Sequence, residues 1–239
     1  LDVTDTVIIV LVEEFSYRIN RGRLAKLIID KETFQLKSMK IVLDLNTHLS
    51  FPAILRDGTD IYIYPENSAS GSSMLYKYNS EDDSVSVIKQ LSNQPLTDAI
   101  ITKIDDSSYI FTTEIPTQNG NKLSIYTALD DMESYKLIQN ITLFDNTARS
   151  AGDIFVDNGK IVRPAQNCNG GYGVGLVFQE IIKDSKGDFV LKELFRRKPI
   201  KNYIGMHTYN QYKGCYVVDL HARRYPYLHK CLQFLKNLM

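Results

Sequence analysis

Apolar residues in this chain fall in short alternating runs, not in long ones. TVIIVLVEEF (6–15), FPAIL with DIYIYPEN (51–55, 60–67), AIITKI with SYIFTTEI (99–104, 108–115), GDIFV with KIVRPAQ (152–156, 160–166) and MHTYNQY with CYVVDLH (206–212, 215–221) are rich in β-branched and aromatic residues, the composition of strands. Turn signals interrupt them near Asp5, at Asp57-Gly58, Asp105-Asp106, Asn158-Gly159 and Lys213-Gly214. Between consecutive pairs lies a second, more polar pair, such as RLAKLIID with SMKIVLDL (23–30, 38–45) or GVGLVFQEII with DFVLKELF (173–182, 188–195). These outer pairs end in charge, as strands with one edge in solvent can.

The turn signals recur at roughly fifty residues, a period within the range of propeller blades. Each unit carries about four strands, so the pattern predicts an all-β fold: a five-bladed β-propeller with four antiparallel strands per blade, spanning residues 1–225. A large sandwich or barrel is the competing all-β reading, but it demands no such period. The first unit lacks a strand before its turn, so an innermost strand is expected upstream of Leu1; starting at Leu and not Met, the chain reads as a fragment or processed form. The last unit shows only its inner pair. Beyond it, Leu228, Leu232, Leu235 and Leu238 step by three or four after Pro226, predicting a short amphipathic helix over 226–239.

Bulk composition changes this picture little. There are 28 basic and 28 acidic residues, and a balanced charge argues against a nucleic-acid partner, which would require a basic excess. No apolar run is long enough to span a bilayer as a helix. The start is not the basic start of a signal peptide, and Cys168, Cys215 and Cys231 form neither a disulfide framework nor a zinc pattern; a cytoplasmic location is slightly favoured. Oligomeric state has no signature. Cys168 is a conceivable nucleophile, although a buried thiol is the commoner role. NGGYGVG (169–175) lacks the strand–loop–helix context and the Lys of a phosphate loop, and the histidines show no ligand spacing, so neither cofactor nor metal is expected.

Candidate chemistry lies at the ends of the inner strands. Where the first strand of a unit opens, the chain offers His48, Asp98, Arg149 and His207; where the second ends, it offers Glu13-Glu14, Glu66, Glu114, Arg163 and Gln166. The polar hairpin at 147–174 adds Asp153 and Tyr172. Convergence of such residues on one axis predicts a sugar-sized polar pocket. The bland alternative is a buried network holding blades together, since buried charge demands partners. Glycoside cleavage uses two carboxyl groups, one kept protonated, for which Glu66 and Asp98 are the candidates. His48, Arg149, Arg163, Gln166, Tyr172 and His207 are the candidate ligand-binding residues.

The segments HLSFPAILRDGTDIYIYPENS (48–68), TDAI (97–100) and ARSAGDIFVDNGKIVRPAQNCNGGYGVGLVFQEI (148–181) resemble the propeller domain at the N-terminus of plant glucosamine inositolphosphorylceramide transferases, also found in many bacterial proteins. That domain is similar to the five-bladed propellers of the arabinanase/levansucrase/invertase superfamily, which includes family 43 glycoside hydrolases. The resemblance covers roughly residues 7–219. It implies a propeller fold, a saccharide or sugar-phosphate ligand, and functional positions at Glu66, Asp98 and Arg149, with His48 and Gln166 as neighbours. The hydrolases use an Asp on the opening strand of the first blade as base, and the A-D-P-F-like motif of that region has no counterpart here. Three readings follow: a carbohydrate-active, glycosidase-like propeller that hydrolyses or transfers a glycosyl group; a non-catalytic glycan-binding or scaffolding propeller; and a partner-binding propeller that uses the C-terminal helix.

Overall fold

Eighteen strands build five antiparallel sheets in the computed structural model, which describes residues 2–92, 94–128 and 135–222. The first sheet is β1 (Asp2–Val3), β2 (Val7–Ser16), β3 (Arg21–Asp30) and β4 (Leu36–Leu43). The second is β5 (Ser50–Asp57), β6 (Asp60–Glu66), β7 (Ser73–Tyr78) and β8 (Val85–Ser92). The third is β9 (Leu96–Ile104), β10 (Ser107–Glu114), β11 (Lys122–Ala128) and β12 (Tyr135–Thr142), and the fourth β13 (Phe155–Asp157), β14 (Lys160–Asn167), β15 (Gly175–Lys183) and β16 (Phe189–Arg197). The last is the hairpin β17 (Tyr209–Tyr212) and β18 (Cys215–Val218).

Strands follow chain order within every sheet, the up-and-down meander of propeller blades. The all-β propeller is therefore present, but five blades of four strands are not. Four blades are complete, and the fifth sheet has two strands, because the last repeat contributes one hairpin and no outer pair among the described residues. Nor does the first sheet lack its inner strand: the two-residue β1 pairs with β2 through Asp2↔Ile9 and Val3↔Ile8. The helix expected at 226–239 lies outside the described residues, as does Cys231.

Local chemistry explains the hairpins. At Asp105–Asp106, Asn158–Gly159 and Lys213–Gly214 both central residues have φ between +47° and +77°. Such two-residue turns match the right-handed twist of the flanking strands and favour Asn, Asp and Gly. Blades then pack face to face through apolar clusters. Leu11, Leu24 and Leu49 meet Ile63 and Tyr76 between the first two blades; Ala53 and Tyr64 meet Ile100 and Ile110 between the second and third; Phe111 and Ile125 meet Ile181 and Phe189 between the third and fourth. The last hairpin docks on the fourth blade through Met206, Phe178 and Tyr209. It meets the first blade through Lys213, whose Nζ donates to Asp2 Oδ1 at 2.7 Å.

Gly152 marks the docking point of that hairpin. Tyr209 N–H donates to the Ala151 carbonyl at 2.7 Å, and a Cβ on Gly152 would overlap the Tyr209 carbonyl oxygen. Gly152→Ala should lower the unfolding free energy by about 2 kcal/mol, the cost of overpacking, as read by urea denaturation. An unchanged midpoint would show that the hairpin does not depend on this contact.

Candidate functional site

Antiparallel alternation sends the first strand of each blade down from one end and returns the second strand to it. The mouth of the channel lies at that end, and a cavity of about 490 Å³ runs along the channel from Glu13 and His207 there to Ile8, Arg56 and Tyr212 toward the other end. Its wall takes Glu13 from the first blade, Phe51 and Arg56 from the second, Asp98 from the third, Arg149, Asp153 and Tyr172 from the fourth, and His207, Asn210 and Asp219 from the last hairpin.

Asp98 is 2 % exposed. It stands in a β-bulge: the pairs Ile100↔Phe111 and Thr97↔Thr113 leave Asp98 and Ala99 facing Thr112 alone, and Asp98 has φ +43°. A bulge re-aims a side chain out of the pleat. Here it turns the carboxylate onto Arg149 of the loop before β13, whose Nε donates to Asp98 Oδ2 at 2.6 Å. Gln166 Nε2, from β14, donates to the same oxygen at 2.7 Å and to the Ser150 carbonyl at 2.8 Å. The rest of the Arg149 fork is also engaged: Nη1 donates to Asn119 Oδ1 at 2.7 Å, and Nη2 lies 3.6 Å from Glu66 Oε2. That Glu66 oxygen accepts the Asp98 backbone N–H at 3.1 Å. Burial, then the neighbouring Asp98 carboxylate, push the Glu66 carboxyl up to about 8.

The other site residues sit around this cluster. Arg149 lies 5.0 Å from the centre of the Tyr172 ring, and Tyr172 lies 5.0 Å from His207. The imidazole of His207 pairs with Asp219, which also accepts the backbone N–H groups of His207 and Thr208 at 2.9 and 2.6 Å. Burial alone would raise the Asp219 carboxyl, but its contacts with His207 and these N–H groups outweigh burial and hold it down at about 2. Deeper in the channel, desolvation raises Asp153 to about 6 against the pull of Arg56.

The structure brings Glu66, Asp98, Arg149, Gln166, Tyr172 and His207 into one neighbourhood and places His48 and Arg163 apart from it. The repeat makes His48 the counterpart of Asp98. In the second blade, however, the bulge falls at Phe51 and Pro52, and Phe51 carries the matching φ of +43°. His48 instead accepts the Gly22 N–H on Nδ1 at 2.8 Å and turns Nε2 toward Glu13 Oε1 at 3.5 Å. Arg163 is 1 % exposed and does not reach the cavity. Its Nη1 donates to Gln179 Oε1 at 2.6 Å and its Nη2 to the Ala148 carbonyl. With no carboxylate bonded to it among the described residues, desolvation pulls its pKa down to about 9. Gln166, fully buried, reaches the cavity only through Asp98. Cys168 is buried, and burial raises its thiol pKa, which disfavours a nucleophilic thiolate. Glu114 is spent within its blade, accepting from Ser124 Oγ at 2.9 Å and Tyr126 Oη at 3.1 Å.

Asn119 and Asp219 were missed. Asp219 had a signal: it follows the second strand of the last hairpin, as Glu66 ends the second strand of its blade. Asn119 lies in a loop whose position only the fold supplies. Among the described residues no group of three or more His, Cys, Asp and Glu side chains is arranged to hold a metal ion.

Residues 9–216 match the family described as "Glucosamine inositolphosphorylceramide transferase 1, N-terminal". The chain belongs to this family. Glucosamine inositolphosphorylceramide transferase 1 of Oryza sativa subsp. japonica is 24 % identical over 156 residues, covering 62 % of this chain and 21 % of the relative. The protein of the same name in Arabidopsis thaliana is 24 % identical over 163 residues, covering 65 % and 20 %. The chain thus spans about a fifth of these plant relatives. Among solved structures, a GH43_1 enzyme from Xanthomonas citri aligns with TM-score 0.58 at 9 % identity, over 92 % of this chain and 80 % of that one. An exo-beta-1,3-galactanase from Phanerochaete chrysosporium with beta-1,3-galactotriose aligns with TM-score 0.56 at 9 % identity, over 90 % and 50 %. At such identities the likeness is one of fold, the glycoside hydrolase family 43 propeller.

Two measurements check the site. A carboxyl protonated in the fold but ionised in the unfolded chain stabilises most below its unfolded value of 4.5, and the gain is lost as pH rises through about 8. Melting temperature should therefore fall across that window in the native chain, and Glu66→Gln should flatten the fall. Arg163→Met should cost about 2–4 kcal/mol, because it orphans the buried acceptors that Arg163 serves, and should leave any ligand affinity of the folded fraction unchanged.

Proposed function

We propose that this chain binds a neutral saccharide in the cavity at the mouth of its propeller. The observation that carries this reading is the internal engagement of Arg149. Its Nε donates to Asp98 and its Nη1 to Asn119, and Nη2 stands 3.6 Å from Glu66, so much of the fork that bidentate recognition of a phosphate or uronate would use is held inside the protein. The wall combines the carboxyl groups of Asp98, Asp153, Glu13 and Asp219 with Arg56, His207, Thr208, Asn210, the ring of Tyr172 and apolar strand residues such as Ile8, Val10 and Val217. Carboxyl oxygens accept from sugar hydroxyls, and an aromatic face covers the apolar side of a sugar ring. A volume of about 490 Å³ suits a small ligand. The names of the relatives and of the structural neighbours support a carbohydrate ligand. The transferase activity belongs to proteins about five times as long as the match and is not carried over.

A second reading is glycosyl hydrolysis or transfer with Glu66 as acid and Asp98 as its ionised partner. The raised pKa of Glu66 favours it. Against it, both carboxyls converge on one guanidinium, whereas glycosidase carboxyls stand ~5–10 Å apart across the bond. A carboxyl from the far wall, Asp153 or Glu13, would have to complete the pair.

Saturation-transfer NMR with neutral mono- and oligosaccharides should detect binding to the native chain, weakened about tenfold in Tyr172→Ala, which removes an exposed aromatic face. Absence of binding across the panel would sink the proposal. Turnover of aryl-glycosides above an Asp98→Asn control would establish the second reading instead.

A further inference from the structure

A net charge of zero conceals a polarised molecule. Connections between the second and third strands of each blade, and passages from blade to blade, all lie at the mouth end. The exposed cations Arg18, Lys198 and Lys201 are in these segments, and exposed Arg197 ends β16 beside them. Carboxylates at the same end are consumed: Asp44 by Arg21 and Arg23, Asp145 by Arg196, and Asp219 by His207. The opposite end collects exposed Asp57, Glu81, Asp82, Asp106 and Asp157 in and beside its turns, with Lys186 and Lys213 as exposed cations among them.

Among the described residues the two most exposed apolar side chains, Phe144, fully exposed, and Tyr17, 91 % exposed, are at the mouth end, where Ile19, Ile200, Tyr203 and Ile204 are also exposed in the loops. Large apolar groups held in water at one end of a domain mark an interaction surface. Basic side chains among them select its partner, because apolar tips with interspersed Lys and Arg match an anionic lipid interface. The chain leaves its described residues at this same end, after Ala222. The sequence that follows, 223–239, contains Arg223, Arg224, Lys230 and Lys236 and no acidic side chain.

We propose that the mouth face seats the protein on a bilayer rich in anionic lipid, with the cavity opening toward the headgroups. The idea does not rest on the saccharide reading, and the assay contains no sugar. The full chain should co-sediment with phosphatidylcholine vesicles containing phosphatidylserine and not with phosphatidylcholine alone, and added salt should release it. Lys198→Glu/Lys201→Glu should weaken binding at least about tenfold, and Tyr17→Ser/Phe144→Ser should weaken it as well, each with an unchanged melting temperature. Asp106→Lys, at the far end, should not weaken it. Equal binding to both kinds of vesicle, or to neither, would overturn the proposal; failure to bind either would leave an acidic protein as the partner of this face. Loss of binding in Arg223→Glu/Arg224→Glu but not in Lys198→Glu/Lys201→Glu would also overturn it, assigning membrane contact to the tail alone.

Discussion

A carboxylate as deeply buried as Asp98 needs a counter-charge and hydrogen bonds, because desolvating a lone ion costs several kcal/mol. Its partners come from far along the chain. Arg149 arrives from the loop before β13, Gln166 from β14, and Glu66 from the end of β6. One bulge on β9 thus ties three blades together at the mouth. The same knot shapes the chemistry of the cavity, because it holds Arg149 of the wall against Asp98 and Asn119. The Arg163 cluster shows the contrasting case. There a guanidinium is buried among neutral oxygens, so it holds loop to strand and offers nothing to a ligand.

Strand identity was legible in the sequence because composition and turn chemistry agree. Asn158-Gly159 and Lys213-Gly214 are turn sequences, and the runs beside them alternate. Blade number was less so. A period of roughly fifty residues says how long a repeat is, not whether the last repeat is complete, and the final hairpin is alone among the described residues. The two-residue β1 was invisible because so short a strand has no alternation to detect.

The site was legible in its membership more than in its geometry. Counting one polar residue per repeat points to Asp98, Arg149 and His207, and all three stand near the mouth. It failed for His48, because the second-blade bulge falls at Phe51 and Pro52, three residues later than the count assumed. It failed for Arg163 because alternate residues of a strand face opposite ways, and Arg163 is turned into the interior, away from the cavity. Exposure and burial of a charged residue have no signature in a single sequence. For the same reason the polarity of the two ends emerged only once the strands had been assigned directions, although every charge was countable from the start.

The ring closes unevenly. Four blades and the docking of the last hairpin are joined by interdigitated apolar side chains. At the remaining seam, between the last hairpin and the first blade, Lys213 pairs with Asp2 and donates to the Val3 carbonyl at 3.4 Å, and the cavity reaches into the gap along Ile8, Val10 and Val217. Close-packed walls yield little, whereas an exposed ion pair contributes at most about 1 kcal/mol. Among the described residues the channel therefore has interdigitated apolar seams on its other sides and one seam held by an ion pair, along which the cavity lies.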